Sequence, residues 1–214
     1  MSERTGSGLE VSLHQPGPIP LAAAFQCAPG ELLALVGPSG SGKSTLLRAI
    51  AGVYRPQSGQ VSVNGARWFE GATGLCLPPH RRAAGMVFQS YALFPHMTVG
   101  QNVAFPLEMR GTPRAEIATR VARALDMVQL SALRDRWPAQ LSGGQQQRIA
   151  LARAFVFKPH LILMDEPLGA LDKKLRDQLQ LEIKNIHLSH KTTILYVTHD
   201  QGEALTMSDR ICLM

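Results

Sequence analysis

The residues best suited to chemistry begin at Gly37. Gly37-Pro38-Ser39-Gly40-Ser41-Gly42-Lys43-Ser44-Thr45 joins one apolar run, Leu32–Val36, to another, Leu46–Ile50. The spacing G-x-x-x-x-G-K-S requires a strand before it and a helix after it, and the flanks suit both. Glycines let successive backbone N–H groups turn inward, and the following helix adds its positive end, so phosphate oxygens find a ready anion cradle. Lys43 is then in reach of the β- and γ-phosphates of a nucleotide, and the Ser44 hydroxyl is a ligand for Mg²⁺.

A second group follows another apolar run. Leu161–Met164 leads into Asp165, Glu166 and Pro167. A carboxylate at a strand end is placed to hold Mg²⁺ opposite Ser44, which is the role expected of Asp165. Glu166, one residue on, is placed to polarise a water that attacks the γ-phosphate. Acidic residues also follow strands merely as solvated loop starts. Beside a complete phosphate cradle the metal and base roles are preferred.

Leu141-Ser142-Gly143-Gly144-Gln145 opens a further helical pattern. Ser142-x-x-Gln145 is a capping box, which needs no glycines. Gly143 and Gly144 each cost about 1 kcal/mol against alanine inside a helix. Bare glycines at a helix start instead let a phosphate come close to the backbone. One nucleotide hardly needs two helix N-termini from one chain. Two copies packed head-to-tail would each supply the second clamp to the other's nucleotide, a closed two-fold arrangement with two composite sites.

These groups need elements to hold them. Short runs suited to strands recur at Leu9–Leu13, Leu32–Val36, Val61–Val63, Gly85–Phe88, Leu161–Met164, Thr193–Thr198 and Ile211–Met214. Ile117, Val121 and Leu125 repeat at helical spacing, with Thr112 as N-cap and Pro113 at the first helical position. Leu171, Leu175, Leu179 and Ile183 repeat in the same way. Buried-type strands alternating with amphipathic helices predict a parallel sheet covered by helices. The stretch from Val99 to Leu133 reads as mostly helical and suits a separate lobe. Ser90–Val99 offers aromatic and methionine side chains, suited either to an adaptable binding surface or to the core.

Composition bounds the rest. The chain has 214 residues, 45% hydrophobic and 18% charged, enough for one compact domain with a small lobe and too apolar for wholesale disorder. No apolar run reaches the length of a membrane span, and Met1–Gly8 is not expected to be a secretory signal. Three scattered cysteines without metal spacing predict reduced thiols in the cytoplasm. The net charge of +6 suits a nucleotide, an anionic membrane surface or nucleic acid without choosing among them.

Leu141–Gln145, followed by Gln146-Gln147-Arg148, resembles the signature sequence of ATP-binding-cassette (ABC) ATPases, and the resemblance runs from about Leu9 to Met214. It implies an α/β phosphate-loop NTPase fold with a mostly parallel sheet core, an N-terminal antiparallel β part and a helical lobe at about 95–155, all within one ATP-binding domain spanning 1–214. ATP and Mg²⁺ are the implied cofactors. Ser142, Gly143 and Gly144 would contact the γ-phosphate held by a partner subunit, with Gln145 beside them. Gly85–Phe88 leads to Gln89, which resembles the family's residue that senses Mg²⁺ and the attacking water. His199, after Ile194–Thr198, resembles the switch residue on the γ-phosphate. Leu168–Asp172 resembles the loop that couples the two sites of the dimer. The position where the family usually places an aromatic on adenine holds His14, whose imidazole offers less stacking area than indole or phenol. The chain is expected to stop short of a strand and further domain that relatives carry.

By the same resemblance the partners are a second ATPase subunit in a homodimer, membrane permease subunits contacted near Gln89–Val99 and, indirectly, an external substrate-binding protein; nucleic acid is not among them. The expected location is peripheral, on the cytoplasmic face of the inner membrane. Leu93–Val99, Gln101–Leu107 and Thr198–Arg210 are most similar to importers of polyamines, opines, phosphonates and iron(III). The alternative is a non-transport ABC ATPase of DNA repair or translation. The first would need a long heptad insertion, which 46–140 lacks, and the second two cassettes in one chain.

Overall fold

The computed structural model describes residues 8–17, 19–169 and 173–214. Two sheets organise it. Strands β1 (Leu9–Gln15), β2 (Leu21–Cys27), β4 (Ser58–Val63), β5 (Ala66–Glu70) and β6 (Leu75–Cys76) form an antiparallel sheet in the order β2-β1-β4-β5-β6. Strands β3 (Leu32–Val36), β7 (Ala84–Val87), β8 (Leu161–Asp165), β9 (Thr193–Thr198) and β10 (Arg210–Leu213) form a parallel sheet in the order β10-β3-β9-β8-β7. The parallel core, the antiparallel N-terminal part and their helices agree with the expected α/β fold.

The central strands β3, β8 and β9 are buried along their whole length, as expected of a sheet covered on both faces. Leu33, Leu35, Leu163, Leu195 and Val197 pack with Leu46, Leu47 and Ile50 of α1 (Lys43–Ala51) and with Val11, Val61 and Phe69 of the antiparallel sheet. Helix α1 is thereby held against both sheets through one apolar cluster. Ile162, Met164, Ile194 and Tyr196 face the other way. They pack on α4 (Gly143–Phe155) and α5 (Lys173–His190) through Ala150, Leu151, Ala154, Leu179 and Ile183. The opposite face of α4, carrying Ile149 and Ala152, joins α2 (Val99–Met109) and α3 (Arg114–Met127) in a further cluster around Val103, Leu107, Val121 and Leu125. A short helix, α6 (Gln201–Met207), follows β9.

Some expectations need correction. Thr112 is not the cap of α3: Pro113 takes that position, and its carbonyl accepts the N–H groups of Glu116 and Ile117. A proline φ suits either position, so the residue type alone left the start free by one residue. Strands β2, β5 and β6 were not anticipated. The first is Leu-Ala-Ala-Ala-Phe-Gln-Cys, poor in β-branched residues and ordered by pairing with β1 along its full length. The second follows Asn64-Gly65, both left-handed at φ 48° and 78°, the hairpin signal that should have revealed it. Leu171, placed on a helical stripe by its spacing, lies outside the described residues, as do Ala170 and Asp172 of the expected coupling loop.

Candidate functional site

Four loops leave the C-terminal ends of neighbouring parallel strands. The register sets Val36 beside Thr198, Val197 beside Asp165 and Met164 beside Val87, so the strand ends are nearly level. That edge is where open α/β sheets bind ligands.

The loop after β3 wraps the Lys43 ammonium. Lys43 is buried, and its Nζ donates to the carbonyls of Gly37 (2.7 Å) and Pro38 (2.8 Å) and to Ser41 Oγ (3.4 Å). Gly40 and Gly42 hold φ of +84° and +94°, which other residues rarely adopt, and Gly42 caps α1 without a side-chain hydrogen bond. No acidic residue stands in the first turn of α1, so its positive end keeps its attraction for an external anion. Pro38 and Ser39 are exposed around this cradle, while Thr45 is half-buried.

Ser44 Oγ donates to Asp165 Oδ1 at 2.8 Å. Burial raises the Asp165 pKa above the usual carboxylate range, opposed by the Ser44 hydrogen bond and by the positive charges of Arg48 and Lys43. Next along the chain, Glu166 is left-handed at φ 45°, and its N–H bonds the Val197 carbonyl, which fixes the turn. Its Oε2 accepts from Gln89 Nε2 at 3.4 Å and lies 3.2 Å from His199 Nδ1. The three expected catalytic residues therefore meet, although they come from the ends of three strands. Gln89, also expected at the metal, bonds Glu166 and, among the described residues, neither Ser44 nor Asp165.

Ser142 and Gln145 form the capping box, Gln145 N donating to Ser142 Oγ at 3.3 Å and Ser142 N to Gln145 Oε1 at 2.9 Å. Among the described residues no hydrogen bond links Ser142–Gln145 to the phosphate loop. Gly144 carries a packing duty that spacing did not reveal: a Cβ there would stand 2.6 Å from Leu175 Cδ2 of α5. His14 lies on β1 between Ala22 and Ser58 with an exposed side chain, its carbonyl accepting from Ser58 Oγ. After Gln89, Tyr91 is buried in the core and Phe94 half-buried, so the stretch divides between the two roles considered for it.

A family profile described as ABC transporter matches residues 22–169. The chain belongs to the ABC transporter family. It is 57% identical over 185 residues to the spermidine/putrescine import ATP-binding protein PotA of Thermobifida fusca, covering 86% of this chain and 47% of that protein. The protein of the same name from Acidothermus cellulolyticus is 55% identical over 213 residues, covering 100% of this chain and 52% of the relative. That of Ruegeria pomeroyi is 51% identical over 203 residues, covering 93% and 54%. The chain thus spans about half the length of the curated relatives it matches.

Two supporting residues were not legible in the sequence. Glu203 is buried and its Oε2 accepts from Tyr196 Oη (3.0 Å) and Thr198 Oγ1 (2.8 Å), while its N–H bonds Asp200 Oδ1. These bonds fix the turn that carries His199. Asp200-x-x-Glu203 is a capping pattern, and reading it as one would have pointed there. Arg82 is buried with Nη1 on the carbonyls of Ala49 and Ile50, closing the last turn of α1. Nothing local in Arg81-Arg82 distinguishes the two arginines; only the fold selects one.

Proposed function

We propose that this chain is the ATP-binding and ATP-hydrolysing motor of an ABC importer, working as a head-to-tail pair on the inner face of the membrane with separate permease subunits. The observation that carries this reading is the convergence at one sheet edge of Lys43, the Ser44–Asp165 pair and the Gln89–Glu166–His199 cluster. The residues present fit Mg-ATP. The cradle offers backbone N–H groups and a cation to phosphates, and Ser44 with Asp165 offers two oxygen donors to Mg²⁺. When bound, Mg²⁺ would supply charge neutralisation to the phosphates of the nucleotide.

Each side chain then has a physical task. Lys43 exchanges its loop carbonyls for phosphate oxygens, a stronger charge-assisted pairing. Glu166 Oε2 accepts the proton of the attacking water, and Gln89 and His199, both in contact with that oxygen, hold the carboxylate in place. His199 Nδ1 meets Glu166, which leaves its Nε2 available to a γ-phosphate. Ser142, Gly143 and Gly144 offer the helix N-terminus to the nucleotide of the second copy. A groove of about 460 Å³ beside the Gln89 loop, lined by Met86, Phe88, Phe94, Phe105 and Met109, suits an apolar segment of the permease. The relatives named for spermidine and putrescine import make a polyamine the first cargo to test.

The deciding experiment measures phosphate release from ATP by the purified protein with Mg²⁺ and with a chelator, together with labelled spermidine uptake by cells lacking the gene. Mg²⁺-dependent turnover with loss of uptake supports the proposal. Turnover without any loss of spermidine uptake would remove the polyamine and leave the motor.

A further inference from the structure

Arg153 is buried in the last turn of α4, and among the described residues no carboxylate pairs with it. Basic residues in a last turn commonly serve their own helix's free carbonyls. This guanidinium instead leaves its helix. Nη2 donates to the Tyr91 carbonyl and Nη1 to the Ala92 carbonyl, each at 2.7 Å, and Cζ stands 5.6 Å from the centre of the Phe94 ring. A planar fork matches two successive acceptors in a way a point charge does not. Burial lowers its pKa to about 10, which still leaves it a cation at neutral pH.

The clamped residues are unusual in themselves. Tyr91 and Ala92 are both left-handed, at φ 60° and 46°, without being glycine. Such backbone persists where its surroundings hold it. Two residues earlier stands Gln89, exposed, and among the described residues its side chain makes one weak bond, of 3.4 Å, to Glu166. Its own contacts do not fix it. The backbone on either side does: Val87 is paired to Met164 in the sheet, Tyr91 N bonds the Phe88 carbonyl, and Arg153 pins Tyr91 and Ala92.

We propose that Arg153 is a positioning residue for hydrolysis, tying the helix that begins at Ser142 to the loop that carries Gln89 and so setting the reach of Gln89 toward Glu166. The inference rests on the ATPase reading above. Helix α4 spans about 15 Å from Gly143 to Arg153, at the usual rise per residue. A shift of its N-terminus on a nucleotide is passed by this rigid element to Gln89.

Steady-state ATP hydrolysis by the purified protein tests this in Arg153→Met, Arg153→Lys and Gln89→Ala, with melting temperature recorded for each. Arg153→Met is expected to lower kcat about 10-fold while KM for ATP stays within about 2-fold, because misplacement of a reacting group costs turnover more than binding. Arg153→Lys, which keeps the charge and carries the test should Arg153→Met fold poorly, should recover part of that loss. Arg153→Lys combined with Gln89→Ala should be no slower than Gln89→Ala alone, since the arginine acts through that glutamine. Multiplying losses in the double variant, or wild-type kcat in both folded Arg153 variants, would overturn the inference and leave the ATPase reading standing. A wild-type protein that does not hydrolyse ATP overturns both.

Discussion

Ser44 and Asp165 stand 121 positions apart in the chain and share a hydrogen bond of 2.8 Å, Ser44 Oγ donating to Asp165 Oδ1. The bond joins the start of α1 to the end of β8 and sets two oxygen donors beside the phosphate cradle. It also partly compensates a buried carboxylate whose pKa burial raises.

Asp165→Asn should therefore separate stability from activity. The amide keeps an oxygen for Ser44 and removes a charge that the fold desolvates, so without Mg²⁺ the melting temperature should rise by about 2 °C near neutral pH. A raised native pKa means the wild type loses stability as pH climbs through it, and the gap should close below about pH 4, where the carboxyl is protonated in both states. Mg²⁺-dependent hydrolysis should fall to background. Calorimetry across pH beside a turnover assay checks all of this, and a lower melting temperature for the variant would show that the charge stabilises the fold.

Lys43→Ala removes the cation that the phosphate loop encloses. ATP affinity should weaken about 10- to 100-fold, the worth of roughly 1.5–3 kcal/mol for hydrogen bonds to a charged group. Titration with a fluorescent ATP analogue reads the change; unaltered affinity would take Lys43 out of the site.

Glu166→Gln keeps the shape of the side chain that meets Gln89 and His199 and removes the base. Turnover should fall about 10²–10⁴-fold with Mg-ATP still bound. The stalled γ-phosphate would then bridge two copies, so Mg-ATP should shift this variant from monomer to dimer in gel filtration while ADP should not. The same dimer in ADP would argue against a clamp built on the γ-phosphate.

Ser142→Arg tests the second clamp. Because, among the described residues, Ser142 shares no hydrogen bond with the phosphate loop of its own chain, the monomer should bind ATP within about 2-fold of wild type while hydrolysis is lost, as for an interaction made mainly in the closed dimer. Part of any stability change belongs to the capping box, about 1 kcal/mol, so melting temperature is measured alongside. Equal losses of binding and hydrolysis would place the clamp in cis.

Much of this molecule is local in origin, and local features are legible in sequence. The phosphate loop is a continuous run whose glycines dictate its backbone, and the strands that carry Asp165 and His199 announce themselves as unbroken apolar stretches, because a strand covered on both faces has no polar positions to show. Even so, which ends meet was not local. Gln89, Glu166 and His199 come together only because β7, β8 and β9 run parallel in adjacent register, a pairing between residues far apart in the chain. Similarly, β2 has too little strand propensity to be seen alone and is ordered by β1. Arg82 and Arg153 read as ordinary basic residues until the fold buries them against carbonyls of other segments, where an unpaired acceptor would be costly. The sequence by itself determined the phosphate cradle, the carboxylates and the alternation of strand and helix, since these depend on residue type and spacing over a few positions. Only the tertiary structure decided the Glu166 cluster, the Gly144–Leu175 contact and the two arginine clamps, since those depend on distances between elements that no local pattern encodes.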